Sequence, residues 1–328
     1  MSASARPPSP VPGPSTARPS SAVPRKKEEP SQTLLYFVAG GAAGAVSRTV
    51  VAPLERIKIL YQVQGNEVGG RAYNGLGASM AKIWREEGLR GMFKGNGVKC
   101  VEIAPYSAVQ FTAYEQFKKL LTAGGTRELN TPLRLSAGAL AGICSVCSTY
   151  PLDLVRSRLS IATATIGKGK SSIYTQRDLS IVGMTLKVYR EEGGLRGLYR
   201  GVAMTALGVA PYVGINFAAY EALRGFAIPP GESQPSTVRK LGCGALAGSI
   251  SQTLTYPIDV LRRKMQVIGV KALGLEYNSG WGAVKHMWRT EGITAFYRGL
   301  TINLAKVAPA IGSSFVVYEA TKNALGAL

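Results

Sequence analysis

Three times along the chain a proline is followed two residues later by an acid and five residues later by a base: Pro53-Glu55-Lys58, Pro151-Asp153-Arg156 and Pro257-Asp259-Arg262. Each set closes an apolar stretch, a setting in which charge is costly and marks a pathway or a partner. A proline inside a helix removes one backbone hydrogen bond and kinks the axis, so three such kinks at one level draw their helices together where the charges sit. Further charges recur in YEQFK (114–118), YEALR (220–224) and YEATK (318–322). Covalent and metal chemistry have little to work with: His286 is the only histidine, which excludes a histidine-based triad or metal site. Cys144 and Cys147 form a CxxC inside an apolar stretch without histidine support, and we read them as small packing residues. No catalytic constellation is visible, so the chain is not read as an enzyme and no cofactor is implied.

The elements that must position these charges follow from composition. Hydrophobic residues make up 46% of the 328 residues and charged ones 18%, and mean hydropathy is slightly positive, a balance that favours a membrane bundle over soluble domains. The 39 glycines recur inside apolar stretches, where small residues let membrane helices approach closely. Lysine and arginine number 39 against 19 acids, a formal charge of +20, which points to nucleic acid, an anionic membrane surface or an anionic solute. Apolar stretches near 34–53, 96–114, 133–152, 202–220, 241–258 and 300–318 argue against nucleic acid. Those from Leu135 to Leu152, Val202 to Tyr220 and Leu241 to Ile258 carry no formal charge and are long enough to cross about 30 Å of hydrocarbon as helices. Residues 1–32, rich in Pro and Ser, cannot bury enough surface to order themselves and read as a disordered tail.

The proline segments belong to a larger repeat. VAPLERIKILYQ (51–62) returns as TYPLDLVRSRLS (149–160) and TYPIDVLRRKMQ (255–266). A GxxxG precedes each proline (Gly40/Gly44, Gly138/Gly142, Gly244/Gly248), and EGLRGMFKG (87–95), EGGLRGLYRG (192–201) or EGITAFYRG (291–299) follows. A later proline (Pro105, Pro211, Pro309) and the YE motif complete units 33–122, 131–226 and 236–326. Such self-similarity sets the architecture. The expected fold is an all-α membrane protein of six transmembrane helices in a threefold pseudo-symmetric bundle. Three short amphipathic helices around 75–88, 178–192 and 279–291 are rich in Lys and Arg, which places them on the matrix side.

Px[DE]xx[KR], then an acidic-Gly turn ending in aromatic-[KR]-G, then [FY][DE]xx[KR], resembles the mitochondrial carrier family over residues 33 to 325. The resemblance implies a multi-pass monomer of the inner mitochondrial membrane that works by alternating access, with both termini facing the intermembrane space. It implies a matrix gate of ion pairs Glu55–Arg156, Asp153–Arg262 and Asp259–Lys58, braced by Gln62 and Gln266, with Ser160 standing where a third glutamine belongs. A cytoplasmic gate follows by the same logic: Glu115–Arg224, Glu221–Lys322 and Glu319–Lys118, with Tyr114, Tyr220 and Tyr318 as bracing hydroxyls. Helix N-termini are anion sites, and the resemblance implies that cardiolipin is held at the turns carrying Lys94 and Gly95, Arg200 and Gly201, and Arg298 and Gly299.

Charges within the spans but away from both gates describe the cargo. Arg48, Lys99, Glu102 and Lys306 give three bases and one acid, and Arg263 adds a fourth base; this favours an anion with several oxygens. The family's substrate contact points map onto Glu102, Gly208–Val209 and Lys306. Glycine followed by an aliphatic residue resembles carriers of adenine nucleotides, giving a flat notch for a purine on which Tyr212 stacks and to which Asn303 hydrogen-bonds. AVSRTVVAPLERIKIL, PYSAVQF and PYVGINFA resemble members carrying adenosine 5′-phosphosulfate and 3′-phosphoadenosine 5′-phosphosulfate. A coenzyme A or ATP/ADP/phosphate carrier is the alternative within the family, and a leak or scaffold membrane protein the alternative outside nucleotide transport. Glu102 departs from the basic residue expected at the first contact point.

Overall fold

The computed structural model describes residues 30–65, 73–122, 130–164, 174–227, 236–270 and 280–326. Most of the tail expected over 1–32 lies outside them; helix α1 starts at Pro30, within the stretch assigned to it. The described residues form helices α1 (Pro30–Val63), α2 (Leu76–Met92), α3 (Asn96–Leu121), α4 (Thr131–Ile161), α5 (Ile181–Glu191) and α6 (Leu195–Leu198). They continue as α7 (Val202–Ala227), α8 (Thr237–Gln266), α9 (Gly280–Thr290), α10 (Leu300–Ala305) and α11 (Val307–Gly326), with 3-10 turns at Gln176–Leu179 and Ile293–Tyr297.

The long helices close a ring: α1 packs on α3, α3 on α4, α4 on α7, α7 on α8, α8 on α10, and α11 returns to α1. Helices α1, α4 and α8, which contain Pro53, Pro151 and Pro257, also touch one another. Each interior proline leaves a carbonyl without its donor and bends the axis, which brings those three helices together at one end. In the third repeat the effect of a later proline is larger. Pro309 withholds an N–H one turn into the segment, and the helix is interrupted at Lys306 between α10 and α11.

The core lies at the converged end, in three small clusters. Each joins one of these helices to the short helix of its own repeat: Ile57, Leu60 and Ile83; Leu154, Met184 and Val188; Val260, Ala283 and Met287. The buried positions of α2, α5 and α9 are spaced i, i+4 (Ser79/Ile83, Met184/Val188, Ala283/Met287), one narrow face of a helix. Their outer faces repeat too: Trp84, Tyr189 and Trp288 hold equivalent positions and are 55, 50 and 60% exposed. Elsewhere the outer wall exposes large apolar side chains, among them Phe111, Leu207, Leu246, Leu254 and Val316, a surface suited to hydrocarbon.

Among the described residues three helical segments are long and apolar enough to cross a membrane: Thr131–Ile161, Leu195–Phe226 and Ile293–Ala324. The first two contain uncharged stretches picked out in the sequence. The third does not, and the stretch from Leu241 to Ile258 is not among the three. Ser249, Ser251, Gln252, Thr253 and Thr255 dilute the hydropathy of α8 without adding charge.

Candidate functional site: a closed ion-pair ring beneath a basic cavity

At the convergence of α1, α4 and α8 three carboxylates meet bases of the neighbouring helix. Asp259 accepts from Lys58 Nζ at 2.6 Å, Asp153 accepts from Arg262 at 2.5 Å, and Glu55 pairs with Arg156. Two of these seams are braced. Gln62 Nε2 donates to Asp259 and to Tyr256 Oη at 3.2 and 3.1 Å; Gln266 Nε2 donates to Asp153 and to Tyr150 Oη at 2.7 and 3.3 Å. At the α1/α4 seam both braces are missing. Ala52 stands where the other repeats have Tyr150 and Tyr256, and Ser160 bonds the carbonyl of Arg156 on its own helix at 2.8 Å. The second oxygen of Glu55 is taken instead by Lys306 Nζ at 3.0 Å. Installing the absent donor by Ser160→Gln is expected to strengthen this seam by about 0.5–1.5 kcal/mol and to slow solute exchange about two- to tenfold, read as initial uptake into liposomes. Unchanged or faster uptake would show that the seam does not limit turnover.

The ring stands on a second tier of charge that the repeat pattern did not reveal. Arg158 forks onto Glu192 with both contacts at 2.8 Å and donates across to the carbonyls of Gln266 and Ile268, each at 2.6 Å. Arg56 holds Glu87 at 2.7 Å and reaches the Ser160 carbonyl at 3.0 Å. Lys264 pairs with Glu291, which also holds Arg298 at 2.5 Å, and Arg298 donates to the Gln64 carbonyl at 2.9 Å. Each repeat is thus tied to the next, and the third to the first. Arg158 and Lys264 sit seven residues after their prolines, whereas Arg56 sits three after its own; that offset hid the set.

The turns before α3, α7 and α10 bring Gly95, Gly201 and Gly299 to φ of 82, 89 and 82°. A methyl group there would meet Ser160 Oγ at 2.6 Å, Tyr150 Oη at 2.8 Å and Tyr256 Oη at 3.1 Å, so each position is closed to side chains by conformation and by space. Tyr150 and Tyr256 donate to the carbonyls of Arg200 and Arg298 at 2.8 and 2.9 Å. Two residues expected to face lipid are otherwise engaged. Arg200 bonds Glu192 and the Ile268 carbonyl at 3.2 and 3.0 Å, and Arg298 is buried in the bonds above. The motif acid lies within reach and captures each guanidinium. Burial holds the Lys94 ammonium below its usual pKa, against the opposing pull of Glu87.

The opposite mouth is unlatched. The expected pairs Glu115–Arg224, Glu221–Lys322 and Glu319–Lys118 are not formed among the described residues; Glu115 contacts only Lys118 of its own helix, at 3.7 Å. Tyr114, Tyr220 and Tyr318 are half-buried, and Glu221, Arg224, Glu319 and Lys322 are exposed.

Above the ring three adjoining cavities line the interior. One of about 380 Å³ is polar, walled by Arg48, Lys99, Glu102, Asp153 and Arg262. One of about 360 Å³ is bounded by Gly208, Val209, Tyr212, Met204 and Ile258 together with Thr205, Gln252 and Asp259. A third of about 310 Å³ includes Asn303 and Lys306. Tyr106, Val146 and Arg262 belong to the first two, and Tyr212 and Gln252 to the last two. Gly208 also packs against Ile258, which a methyl at that position would meet at 3.2 Å. Arg263, read from sequence as a cavity base, bonds Ser157 and, at 2.7 Å, Gln266 instead; it lines none of these cavities because the ring captures it. Tyr106 was missed although it follows Pro105 as Tyr212 follows Pro211.

Comparison with known proteins agrees with this architecture. The family described as mitochondrial carrier protein matches the chain three times, over residues 29–125, 127–229 and 233–327. The chain is 48% identical over 300 residues to an uncharacterized mitochondrial carrier of Saccharomyces cerevisiae, covering 87% of this chain and 90% of that one. It is 44% identical to a mitochondrial adenine nucleotide transporter of Arabidopsis thaliana, covering 88 and 86% of the two chains. A mitochondrial coenzyme A transporter of Xenopus laevis is 39% identical, with 87 and 84% covered. Three matched repeats, with relatives aligned over nearly their whole length, establish that the chain belongs to the mitochondrial carrier family, whose members are transporters.

Proposed function

We propose that the chain is an antiporter of the inner mitochondrial membrane that exchanges adenine-nucleotide-type anions, adenosine 5′-phosphosulfate among them. The reading rests on one observation: a basic chamber opens into a Gly208–Val209 notch flanked by Tyr106 and Tyr212, directly above the closed ring. Bases collect phosphate or sulfate oxygens, and the flat apolar wall with tyrosines accepts a purine. In this reading six helices cross the membrane, both termini face the intermembrane space, and the protein works as a monomer. The ring is the matrix gate, and the unlatched residues at the other mouth form the cytoplasmic gate once the ring opens. Only one gate is closed in this conformation, as alternating access requires. Cardiolipin phosphates meet the amides after Gly95, Gly201 and Gly299.

Coenzyme A is the second reading, favoured by the Xenopus laevis relative described as a mitochondrial coenzyme A transporter; it shares the adenine and the phosphates. Uptake into liposomes holding the purified protein, preloaded with one nucleotide and offered labelled adenosine phosphosulfate, its 3′-phosphorylated form, ATP, ADP, coenzyme A and free phosphate, separates the readings. Exchange of nucleotides supports the proposal, dominance of coenzyme A replaces the solute, and no exchange returns the chain to a leak or scaffold role.

Membrane placement has its own test. All three tryptophans of the chain, Trp84, Trp281 and Trp288, lie on α2 and α9 and are 55, 77 and 60% exposed. Indole rings settle at the headgroup level. Lipids brominated near the headgroup are expected to quench their emission more strongly than lipids brominated mid-chain; the reverse order would displace these helices from the interface.

A further inference from the structure

We propose that Glu102 selects against a phosphate on the ribose, so that the cavity takes adenine nucleotides with a 3′-hydroxyl and turns away those phosphorylated there. This rests on the reading of the chain as an adenine-nucleotide carrier and divides the solutes which that reading admits.

Glu102 is 5% exposed and lines the polar chamber. Its two carboxylate oxygens differ: Oε1 accepts from Lys99 Nζ at 3.1 Å, whereas Oε2 has no hydrogen-bond partner among the described residues. A buried acceptor without a donor is unfavourable, and a solute that supplies the donor relieves it. The bases of the chamber are unequally free. Lys99 is held by Glu102 and Arg262 by Asp153 at 2.5 Å, while Arg48 makes no ion pair among the described residues. Within this chamber one anionic group of a solute therefore finds an uncommitted base, and a second meets bases already paired with carboxylates.

The position of the sugar follows from the chambers. Tyr106 lines both the polar and the apolar chamber and lies one helical turn beyond Glu102 on α3. A nucleotide with its purine in the Gly208–Val209 notch and its 5′ anionic group at Arg48 places its ribose at that junction, beside Glu102. A ribose hydroxyl can donate to Oε2. A phosphate there offers charge of the same sign, which is the repulsive element that specificity requires. Coenzyme A and 3′-phosphoadenosine 5′-phosphosulfate carry that phosphate; AMP, ADP, ATP and adenosine 5′-phosphosulfate do not.

The test uses full-length protein in liposomes preloaded with AMP and offered two matched pairs: AMP against adenosine 3′,5′-bisphosphate, and adenosine 5′-phosphosulfate against its 3′-phosphorylated form. In each pair the member with the free hydroxyl is expected to enter at least about tenfold faster, and 3′-deoxy-AMP to enter more slowly than AMP. Glu102→Gln is expected to narrow both ratios to within about threefold whatever its absolute rate, and Glu102→Asp to keep them wide. Equal uptake within the pairs by the unaltered protein overturns the inference, as does a ratio unchanged by Glu102→Gln. If the variants do not insert, the unaltered protein's pair ratios and the 3′-deoxy comparison decide the matter. Absence of exchange for every adenine nucleotide overturns the nucleotide reading itself, and this inference with it.

Discussion

Arg158→Ala is expected to destabilise the protein by about 3–5 kcal/mol, read as a lowered midpoint in thermal or denaturant unfolding of the purified protein. The guanidinium is almost fully buried and makes four bonds at once, two to Glu192 and two to main-chain carbonyls of the third repeat. Truncation leaves Glu192 with only the longer contact to Arg200 at 3.2 Å, and it leaves the carbonyls of Gln266 and Ile268 without this donor. Arg158→Lys should recover only part of the loss, because one ammonium cannot reproduce a planar fork spanning a carboxylate and two carbonyls. A midpoint unmoved by Arg158→Ala would mean that water or Arg200 replaces the fork, and that the tier beneath the ring does not hold the repeats together.

The second large effect is expected at Lys306. Its ammonium lines the cavity beside Asn303, yet its ion pair is with Glu55, one carboxylate of the ring. On the proposed reading an anion entering the cavity competes with Glu55 for the same charge, which would couple binding to loosening of the α1/α4 seam. Lys306→Ala is expected to reduce exchange at low solute concentration by at least about tenfold, with KM raised. Glu55 keeps Arg156, so the fold survives the change and a correctly inserted variant should be recovered. Exchange within twofold of the unaltered protein would remove Lys306 from the solute path.

Much of this architecture is legible in the residues because a threefold repeat states each feature three times. Pro53, Pro151 and Pro257 announce the kinks, and the acid and base that follow them mark the ring residues, whose pairing the family resemblance implies. Gly95, Gly201 and Gly299 announce the turns. What the repeat could not convey are contacts that break its register. Arg56 performs from one turn earlier what Arg158 and Lys264 do in their repeats. Arg263 follows a gate residue and reads as spare charge, but helical rotation turns it into the ring toward Ser157 and Gln266. Arg200 and Arg298 look free for lipid until folding brings up Glu192 and Glu291. Lys306 and Glu55 are separated by most of the chain, and only closure of the helix ring makes them neighbours. The three pairs left unlatched at the far mouth are a matter of conformation, which a sequence does not specify.

A nucleotide has no threefold axis. In a perfectly repeated bundle it would find three equal poses, and the ring would have three equal ways to part. Ala52 and Ser160 remove that degeneracy: one seam carries neither tyrosine nor glutamine, and the carboxylate there answers to Lys306 as well as to its gate partner. On the proposed reading the orientation in which the solute sits would be coupled to the order in which the helices separate, and two small side chains would give a threefold bundle a direction of motion.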